Sequence, residues 1–581
     1  MKRGGAFLLD EVQQEIFTRE QFGDEQKEIY EMVKSFATEQ ILPHKEELKK
    51  PNKELTMQLM HQAGELGLCK IDIPEQYGGL GMDKISSAIV AEALAASQCA
   101  SWAVTLGAHM GIGTLPIVFY GTEEQKQKYL PGLGSCKVMG AYCLTEPGAG
   151  SDALDLKTTA ILSEDKKYFT LNGVKQFITN GAWAELFIVF AKINGTEFTA
   201  FIVEKGFPGI SIGNEEEKMG IKGSSTTNIT FEDCIVPVEN LLGKPGKGHL
   251  IAFNILNIGR FKLGAADLGG CKVCITLATK YALERKQFGQ PIAYFDSIRS
   301  KMASMVVRTF NLDSSVYRTI GMMEEKISTL DTSKPDYNLK MGDALEEYAI
   351  EASICKIYGS ESLGIVSDHG IQIYGGYGFT EEYPMAAMAR NTRIDRIFEG
   401  TNEINRMVIY AYYLKKALME DLPFRDQLKY WHKLKIVENG SLAWELNALD
   451  AARRVTLRCF DQAVFLYGQD LRNEQVAGEA LADMIIGYFA SSSAINRILQ
   501  IKKEAMEPSL RAIARLSVVY FLKEFTGLFH MLKPTLYSKV DWEKDSKGFS
   551  NLFKYFDIPF DPVGEIRVLT DDLYHHNQYR Y

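Results

Sequence analysis

The sequence predicts a multi-domain α+β protein in four parts. These are a helical N-terminal domain (1–137), a β-barrel or sandwich (138–244), a four-helix-bundle-type domain (245–415) and an extra C-terminal helical domain (416–581). Three observations carry this. At 581 residues the chain is too long for one ordinary core. Its hydrophobic period changes from helical to strand-like near Val138 and back near Gly248. After Lys415-Lys-Ala-Leu-Met-Glu-Asp-Leu-Pro423, which reads as a linker, an amphipathic helical pattern starts again.

Within residues 21–137, Ile29, Val33, Phe36 and Ala37, and later Ile89, Ala93 and Leu94, recur at three- and four-residue steps. Gly78-Gly-Leu-Gly81 breaks the run as a loop, and Thr122-Glu-Glu-Gln125 is a capping box. The small residues of Thr105-Leu-Gly-Ala-His-Met-Gly-Ile-Gly113 suit close helix packing or a ligand tail, and His109 reads as a core histidine. Segments 168–178, 186–193, 198–204, 210–213 and 228–232 are rich in β-branched and aromatic residues between turn residues. Pro237-Val-Glu-Asn-Leu-Leu-Gly243 leads out of them. Helices return with Ile251, Ile255, Ile258 and Arg260, then Ala278, Tyr281, Ala282 and Arg285. The polar stretch 324–343, with Pro335, reads as an inserted surface loop. Ala349, Ile354, Ile357 and Tyr358 resume a helix that ends at Gly375-Gly-Tyr-Gly378, and Leu442, Leu446, Leu449 and Ala452 open the last domain.

Hydrophobic residues at 46% and charged residues at 24% exclude wholesale disorder. A net charge of -9 gives no basic face for nucleic acid, while local Arg and helix N-termini still suit an anionic ligand. Met1-Lys-Arg-Gly-Gly-Ala-Phe-Leu-Leu-Asp10 resembles neither a signal nor a transit peptide, and the apolar run from Met484 to Ile495 is too short to span a bilayer. A soluble cytoplasmic protein is the expectation. Nine scattered cysteines fit reduced thiols, and Cys271-x-x-Cys274 is coincidence at helical spacing. His575 and His576 are adjacent and face different ways, so no metal is expected there.

The chain is organised around Arg393-Ile-Asp-Arg-Ile-Phe-Glu399-Gly-Thr-Asn402, a carboxylate followed by a flexible glycine and a helix-capping threonine. Alone it is a weak signal, and a solvated acid before a turn and helix start is its commoner meaning. Its company consists of Thr145-Glu-Pro-Gly-Ala-Gly-Ser-Asp152, Phe177-Ile-Thr-Asn-Gly181, Glu284-Arg-Lys-Gln-Phe-Gly289 and Gln372-Ile-Tyr-Gly-Gly-Tyr-Gly-Phe379.

In that order, and over roughly residues 25–415, these motifs resemble the acyl-CoA dehydrogenase family. The extra helical domain is similar to that of its long- and very-long-chain branch. The resemblance implies FAD between the β-domain and the bundle, with a thioester against the flavin. Tyr142, Leu144 and Thr145 through Ser151 are then the loop on the isoalloxazine ring, Thr145 bonding its polar edge. Phe177, Ile178 and Thr179 are the second flavin-covering strand; an inward strand pair is the alternative for Phe177 and Ile178. The family often has Trp where this chain has Phe177. Arg285 and Phe288 reach the FAD of a neighbouring subunit, and Gln372 with Gly375 and Gly376 approaches its diphosphate, where a Cβ would obstruct contact.

The same resemblance makes Glu399 the catalytic base that removes an α-proton from an acyl thioester. Some branches place the base beside the arginine that here is Arg260, where this chain has Gly259, which cannot serve. Arg260 positions the carboxylate or forms a structural ion pair; Thr401 and Glu403 touch FAD, with Gln common among relatives at the second of these places. Ser151, Arg260, Phe398 and Gly400 are the implied substrate contacts, and the small Gly107 and Ala108 suit either a deep acyl pocket or helix packing.

The expected function is FAD-dependent dehydrogenation of a long-chain acyl-CoA to trans-2-enoyl-CoA, as in fatty-acid β-oxidation, with electron-transfer flavoprotein as acceptor. Two alternatives stand: an acyl-CoA oxidase, separated by oxygen consumption, and an assembly scaffold that retains the fold, separated by FAD binding. A homodimer is expected because in long-chain relatives the extension covers the surface that pairs dimers into tetramers. Residues 426–445 carry scattered Lys and Arg without a long basic face, weak support for membrane contact.

Overall fold

Helices run from Asp24–Phe36 to Glu123–Gly134 in the computed structural model, which describes residues 3–334, 336–501 and 506–581. Thr122 Oγ1 accepts from Gln125 N at 3.3 Å while Gln125 Oε1 accepts from Thr122 N at 3.0 Å, the reciprocal cap read from the sequence. The apolar stretch Ala100–Tyr120 has mean hydropathy 1.4 in its best window, of which 78% is buried inside the protein. It is broken at His109–Gly113 by one wider turn. His109 is fully buried; its Nδ1 accepts from Gly140 N and its Nε2 donates to Leu133 O, each at 3.0 Å. That histidine ties the helices to the first strand.

The β-domain consists of β1 (Gly140–Cys143), β2 (Thr159–Leu162), β3 (Tyr168–Thr179), β4 (Leu186–Ile193), β5 (Glu197–Glu204), β6 (Ile210–Ile212), β7 (Thr226–Pro237) and β8 (Leu241–Leu242). Their order is β6-β7-β3-β2-β4-β5-β8, with β1 parallel to β4. Sequence reading passed over β1 and β2: β1 is buried on both faces and so shows no alternation, and β2 is short. The β3–β7 register shifts twice, and the second shift spans Lys175 to Ile178. Within it Phe177 has φ +58°, which turns its side chain outward to 61% exposure while Ile178 stays 2% exposed in the core.

Four long helices follow: Gly248–Glu284, Asp296–Ile327, Ala349–Tyr374 and Asn402–Leu418. The expected surface loop at 324–343 is corrected at both ends. Helix Asp296–Ile327 continues into it, and Tyr337–Glu346 is a helix that buries Ala344 and Leu345; Pro335 lies outside the described residues. Few large apolar residues in that stretch hid the period. The extension contributes Ala443–Tyr467, Gln475–Gln500, Pro508–Leu536, Lys539–Phe553 and Pro562–His576. It bonds to the bundle through Arg318 with Ser492 and Ser493, Ser517 with Asn311, and Arg406 with Asp483.

Residues 3–16 do not join the N-terminal helices, which the segment reaches only at Arg19 through Glu92. They run as a strap along the seam between bundle and extension. Phe7 packs on Phe489 at 4.5 Å between ring centroids, Arg453 NH1 donates to Leu8 O and Leu9 O, and Asn496 Nδ2 and Gln500 Nε2 donate to Val12 O and Ile16 O. The apolar Phe7, Leu8 and Leu9 thereby complete the core of another layer. At the inner end of the strap Arg19 enters a buried network with Glu92, Lys272, Asp313 and Arg497.

Candidate active site

Glu399 lies between the turn Arg393–Arg396 and the helix Asn402–Leu418. Its φ is +58° and that of Gly400 is +81°. A left-handed non-glycine residue costs on the order of 1–3 kcal/mol unless its surroundings hold it. Three side chains do so. Arg260 Nε donates to Glu399 O at 3.3 Å; Asn405 Nδ2 donates to Gly400 O at 2.8 Å and Thr401 O at 3.0 Å; Lys356 Nζ donates to Gly400 O at 2.8 Å and Asn402 Oδ1 at 2.7 Å. Thr401 Oγ1 accepts from Ile404 N at 3.2 Å and caps the helix.

The carboxylate itself projects over Gly259. A Cβ at that position would stand 2.6 Å from Glu399 Oε2, so helix Gly248–Glu284 needs glycine where it passes the acid. Oε2 receives no hydrogen bond among the described residues. Burial pushes the Glu399 carboxyl up to about 7, outweighing the opposite pull of Arg260 and Lys356. A carboxylate so placed is a base tuned to neutral pH.

Glu399 borders a cavity of about 350 Å³ between the N-terminal helices and helix Gly248–Glu284. Gly259, Leu263, Ala266, Gly270 and Val273 face it at helical spacing, and Gly107 and Ala108 line the other side, as the deep-pocket reading anticipated. Phe398 and Thr179 also border it. Of the other implied substrate contacts, Ser151 is exposed, and neither it, Gly400 nor Arg260 is in the wall. Arg260 braces the backbone at Glu399, in keeping with the positioning role expected of it. Its guanidinium is 7% exposed as a residue and occupied by Asn257 Oδ1 at 2.7 Å and the Glu399 carbonyl.

The residues expected around flavin fall into two groups. Gln176 N donates to Thr145 O at 2.8 Å, which joins the Thr145 loop to the strand of Phe177 and Thr179. Tyr142, Leu144 and Ile178 have their side chains in the core, so the faces they offer a cofactor are backbone. Near the far end of helix Gly248–Glu284, Arg285 stands 5.8 Å from the ring centre of Tyr377, beside Gly375 and Gly376, and Gln372 is exposed in the preceding turn. Phe288 is 94% exposed and Phe379 85% exposed. Nothing stands within 4 Å of where a Cβ at Gly375 or Gly376 would be. Glu403 is exposed at the start of helix Asn402–Leu418.

Lys356, Asn257, Asn402 and Asn405 were not found from the sequence. Lys356 leaves a trace there, as a charged residue between the core positions Ile354 and Ile357, while the asparagines leave none.

Residues 23–137, 141–234 and 246–414 match the family profiles described as acyl-CoA dehydrogenase N-terminal, middle and C-terminal domains. A probable acyl-CoA dehydrogenase of Bacillus subtilis (strain 168) is 45% identical over 504 residues, 86% of this chain and 84% of that protein. The mitochondrial very long-chain specific acyl-CoA dehydrogenase of Homo sapiens is 39% identical over 392 residues, 66% of this chain and 56% of that one. The crystal structure of an acyl-CoA dehydrogenase complexed with FAD from Bacillus anthracis superposes with a TM-score of 0.96 at 40% identity, covering 100% of both chains. That last likeness includes the helical extension.

Proposed function

Because the chain belongs to the acyl-CoA dehydrogenase family, FAD-dependent oxidoreductases, we propose that it dehydrogenates long-chain acyl-CoA to the trans-2-enoyl thioester with Glu399 as the base. The observation that carries this reading is a desolvated carboxylate oxygen without a hydrogen-bond donor among the described residues, on the wall of an apolar cavity. Helix positions Gly259 to Val273 border the cavity over roughly 21 Å at 1.5 Å per residue, room for an extended acyl chain.

The residues present fit FAD. Phe177 is held outward by its left-handed backbone beside Thr145 and Thr179, and the Gly375-Gly376 turn leaves an open cradle. When bound, FAD supplies the electron acceptor for the substrate's β-hydrogen. Glu399 takes the α-proton on its carboxylate. Arg260, Asn405 and Lys356 fix the backbone that aims it, and Phe398 with the apolar wall keeps water from the site. Anaerobic titration with acyl-CoAs of increasing length tests the reading: long chains should bleach the flavin. Absence of bleaching at every length would leave the scaffold alternative. Once reduced, turnover with electron-transfer flavoprotein rather than oxygen separates the dehydrogenase from an oxidase.

Gly259→Ala is expected to reduce bleaching by about 100-fold with FAD still bound, since its methyl occupies the place of the carboxylate and displaces the base by about an ångström. Equal rates in parent and variant would show that Glu399 acts from elsewhere.

Arg285 and Phe379 lie by the glycine cradle, and they and Phe288 are exposed in one chain, which supports a homodimer whose subunits complete each other's FAD sites. Sedimentation equilibrium should give the mass of two chains, and Phe288→Asp should shift it toward one with loss of FAD. A parent that sediments as a monomer with full FAD content would refute this.

A further inference from the structure

Three turns of the N-terminal domain bring Cys69, His109 and Cys136 together. The two sulfurs and a ring nitrogen of His109 all lie within 4.8 Å of one another, and all three residues are buried. Gly64 makes the approach possible. A Cβ there would stand 2.6 Å from Ser135 O, so helix Lys53–Glu65, which leads to Cys69, closes directly on the turn that carries Cys136. Cys136, with φ +54°, sits in a left-handed turn just past helix Glu123–Gly134. His109 opens the turn His109–Gly113, whose Met110, Gly111 and Ile112 border the acyl cavity.

The set has the donors of a soft-metal site, yet the histidine is committed elsewhere. Its Nδ1 accepts from Gly140 N at 3.0 Å, so the ring proton is on Nε2, which donates to Leu133 O at 3.0 Å and stands 3.5 Å from Cys136 Sγ. A metal would need the lone pair of Nε2 and would turn an Nδ1–H against Gly140 N–H. A protonated Nε2 suits a thiolate. Hydrogen bonds from the Cys69 thiol first and from His109 second hold the proton affinity of Cys136 below that of an ordinary thiol, whereas donation to Cys136 and burial raise that of Cys69. The pair is thereby divided into a nucleophile and a resolving thiol. Burial pushes Cys143, Cys274, Cys355 and Cys459 up to about 12, which leaves them inert.

We propose that Cys136 and Cys69 are a peroxide-sensitive pair that closes to a disulfide. The Cys136 sulfur attacks one oxygen of hydrogen peroxide; an S–O bond forms, the O–O bond breaks, and the released hydroxide leaves as water with the Cys136 proton. The Cys69 sulfur then attacks the Cys136 sulfenic acid; the S–S bond forms, the S–O bond breaks, and that hydroxide leaves as water with the Cys69 proton. Two electrons pass from the sulfurs to the peroxide. Cys136 is 1% exposed but lies between half-buried Ser135 and exposed Lys137, so a small opening of this turn admits a water-sized oxidant. The cavity-lining residues from Ser87 to Ile112 all lie between positions 69 and 136, so the bond tethers one wall of the acyl cavity at both ends. The dehydrogenation chemistry uses neither sulfur, and the inference stands independently of it.

The test treats the FAD-loaded, fully reduced protein with limiting hydrogen peroxide and maps its cysteines by alkylation and peptide mass spectrometry. The parent should lose two hydrogens, yield a Cys69–Cys136 cross-linked peptide before any other cysteine reacts, and regain both thiols under dithiothreitol. Cys69→Ser should give no cross-link and accumulate a Cys136 sulfenic acid that dimedone traps; Cys136→Ala should leave Cys69 reduced. If a variant does not fold, the parent's map decides alone. Both thiols intact in the parent while peroxide is consumed or another cysteine is oxidised would overturn the inference. So would a zinc ion bound at one per chain in the parent and lost in Cys136→Ala, which would make the cluster a metal site.

Discussion

Replacing Glu399 by glutamine is expected to slow flavin bleaching by long-chain acyl-CoA by on the order of 1,000-fold or more, with FAD retained. The amide matches the carboxylate in shape, so Gly259 still accommodates it and Arg260 and Asn405 still hold the backbone. What disappears is the base that stands over Gly259 at the cavity wall. The pH profile gives a second readout. The group acts deprotonated, and burial places its proton affinity near pH 7, so the parent's rate should fall about tenfold per pH unit below that point and level off above it. Stopped-flow absorbance across pH 5.5–9 (about the range where histidine and raised carboxyls titrate) measures both. A glutamine variant within severalfold of the parent, or one keeping the same acid limb, would remove Glu399 from the chemistry.

Asp313→Ala should be the most damaging substitution away from the cavity, at roughly 3–5 kcal/mol of stability. Asp313 Oδ2 stands 2.8 Å from both Arg19 Nε and Lys272 Nζ and 3.7 Å from Arg497 NH1, at 1% exposure. Its removal leaves buried cations to share Glu92, which is itself fully occupied. Although burial alone would raise the Asp313 carboxyl, Arg19, Lys272 and Arg497 together hold it far below the usual carboxylate range. A folded-state value below the unfolded one stabilises the protein above the ordinary carboxylate pKa, and that contribution is lost as pH falls through the folded value. The measurement is the melting midpoint of parent and variant at neutral pH and in acid. The gap between them should be large at neutral pH and narrow in acid. Coincident midpoints at neutral pH would mean that the network contributes little.

The division into helices, strands and helices was legible because period is a local property, as in Ile29, Val33 and Phe36 or the alternation along β3. Glu399 was legible through its motif and Thr401 through its capping chemistry. The braces were not. Lys356 and Asn405 act through carbonyl oxygens brought close by the fold, and a side chain bonded to backbone leaves no pairwise signature in the sequence; Asn257 instead accepts from Arg260 on its side-chain oxygen. Gly259 was read correctly as unable to serve as a base, but the space it clears for the carboxylate is visible only in three dimensions.

The strap of residues 3–22 also fixes an order of events during synthesis. Its hydrogen-bonding partners are up to 484 residues away, as for Ile16 and Gln500, so this segment is synthesised long before those partners exist. At about 5–20 residues per second, that delay is on the order of 25–100 s. Throughout it Phe7, Leu8 and Leu9 have no surface of their own to cover them. The nascent chain therefore carries this apolar segment without its full cover until helix Gln475–Gln500 has been made.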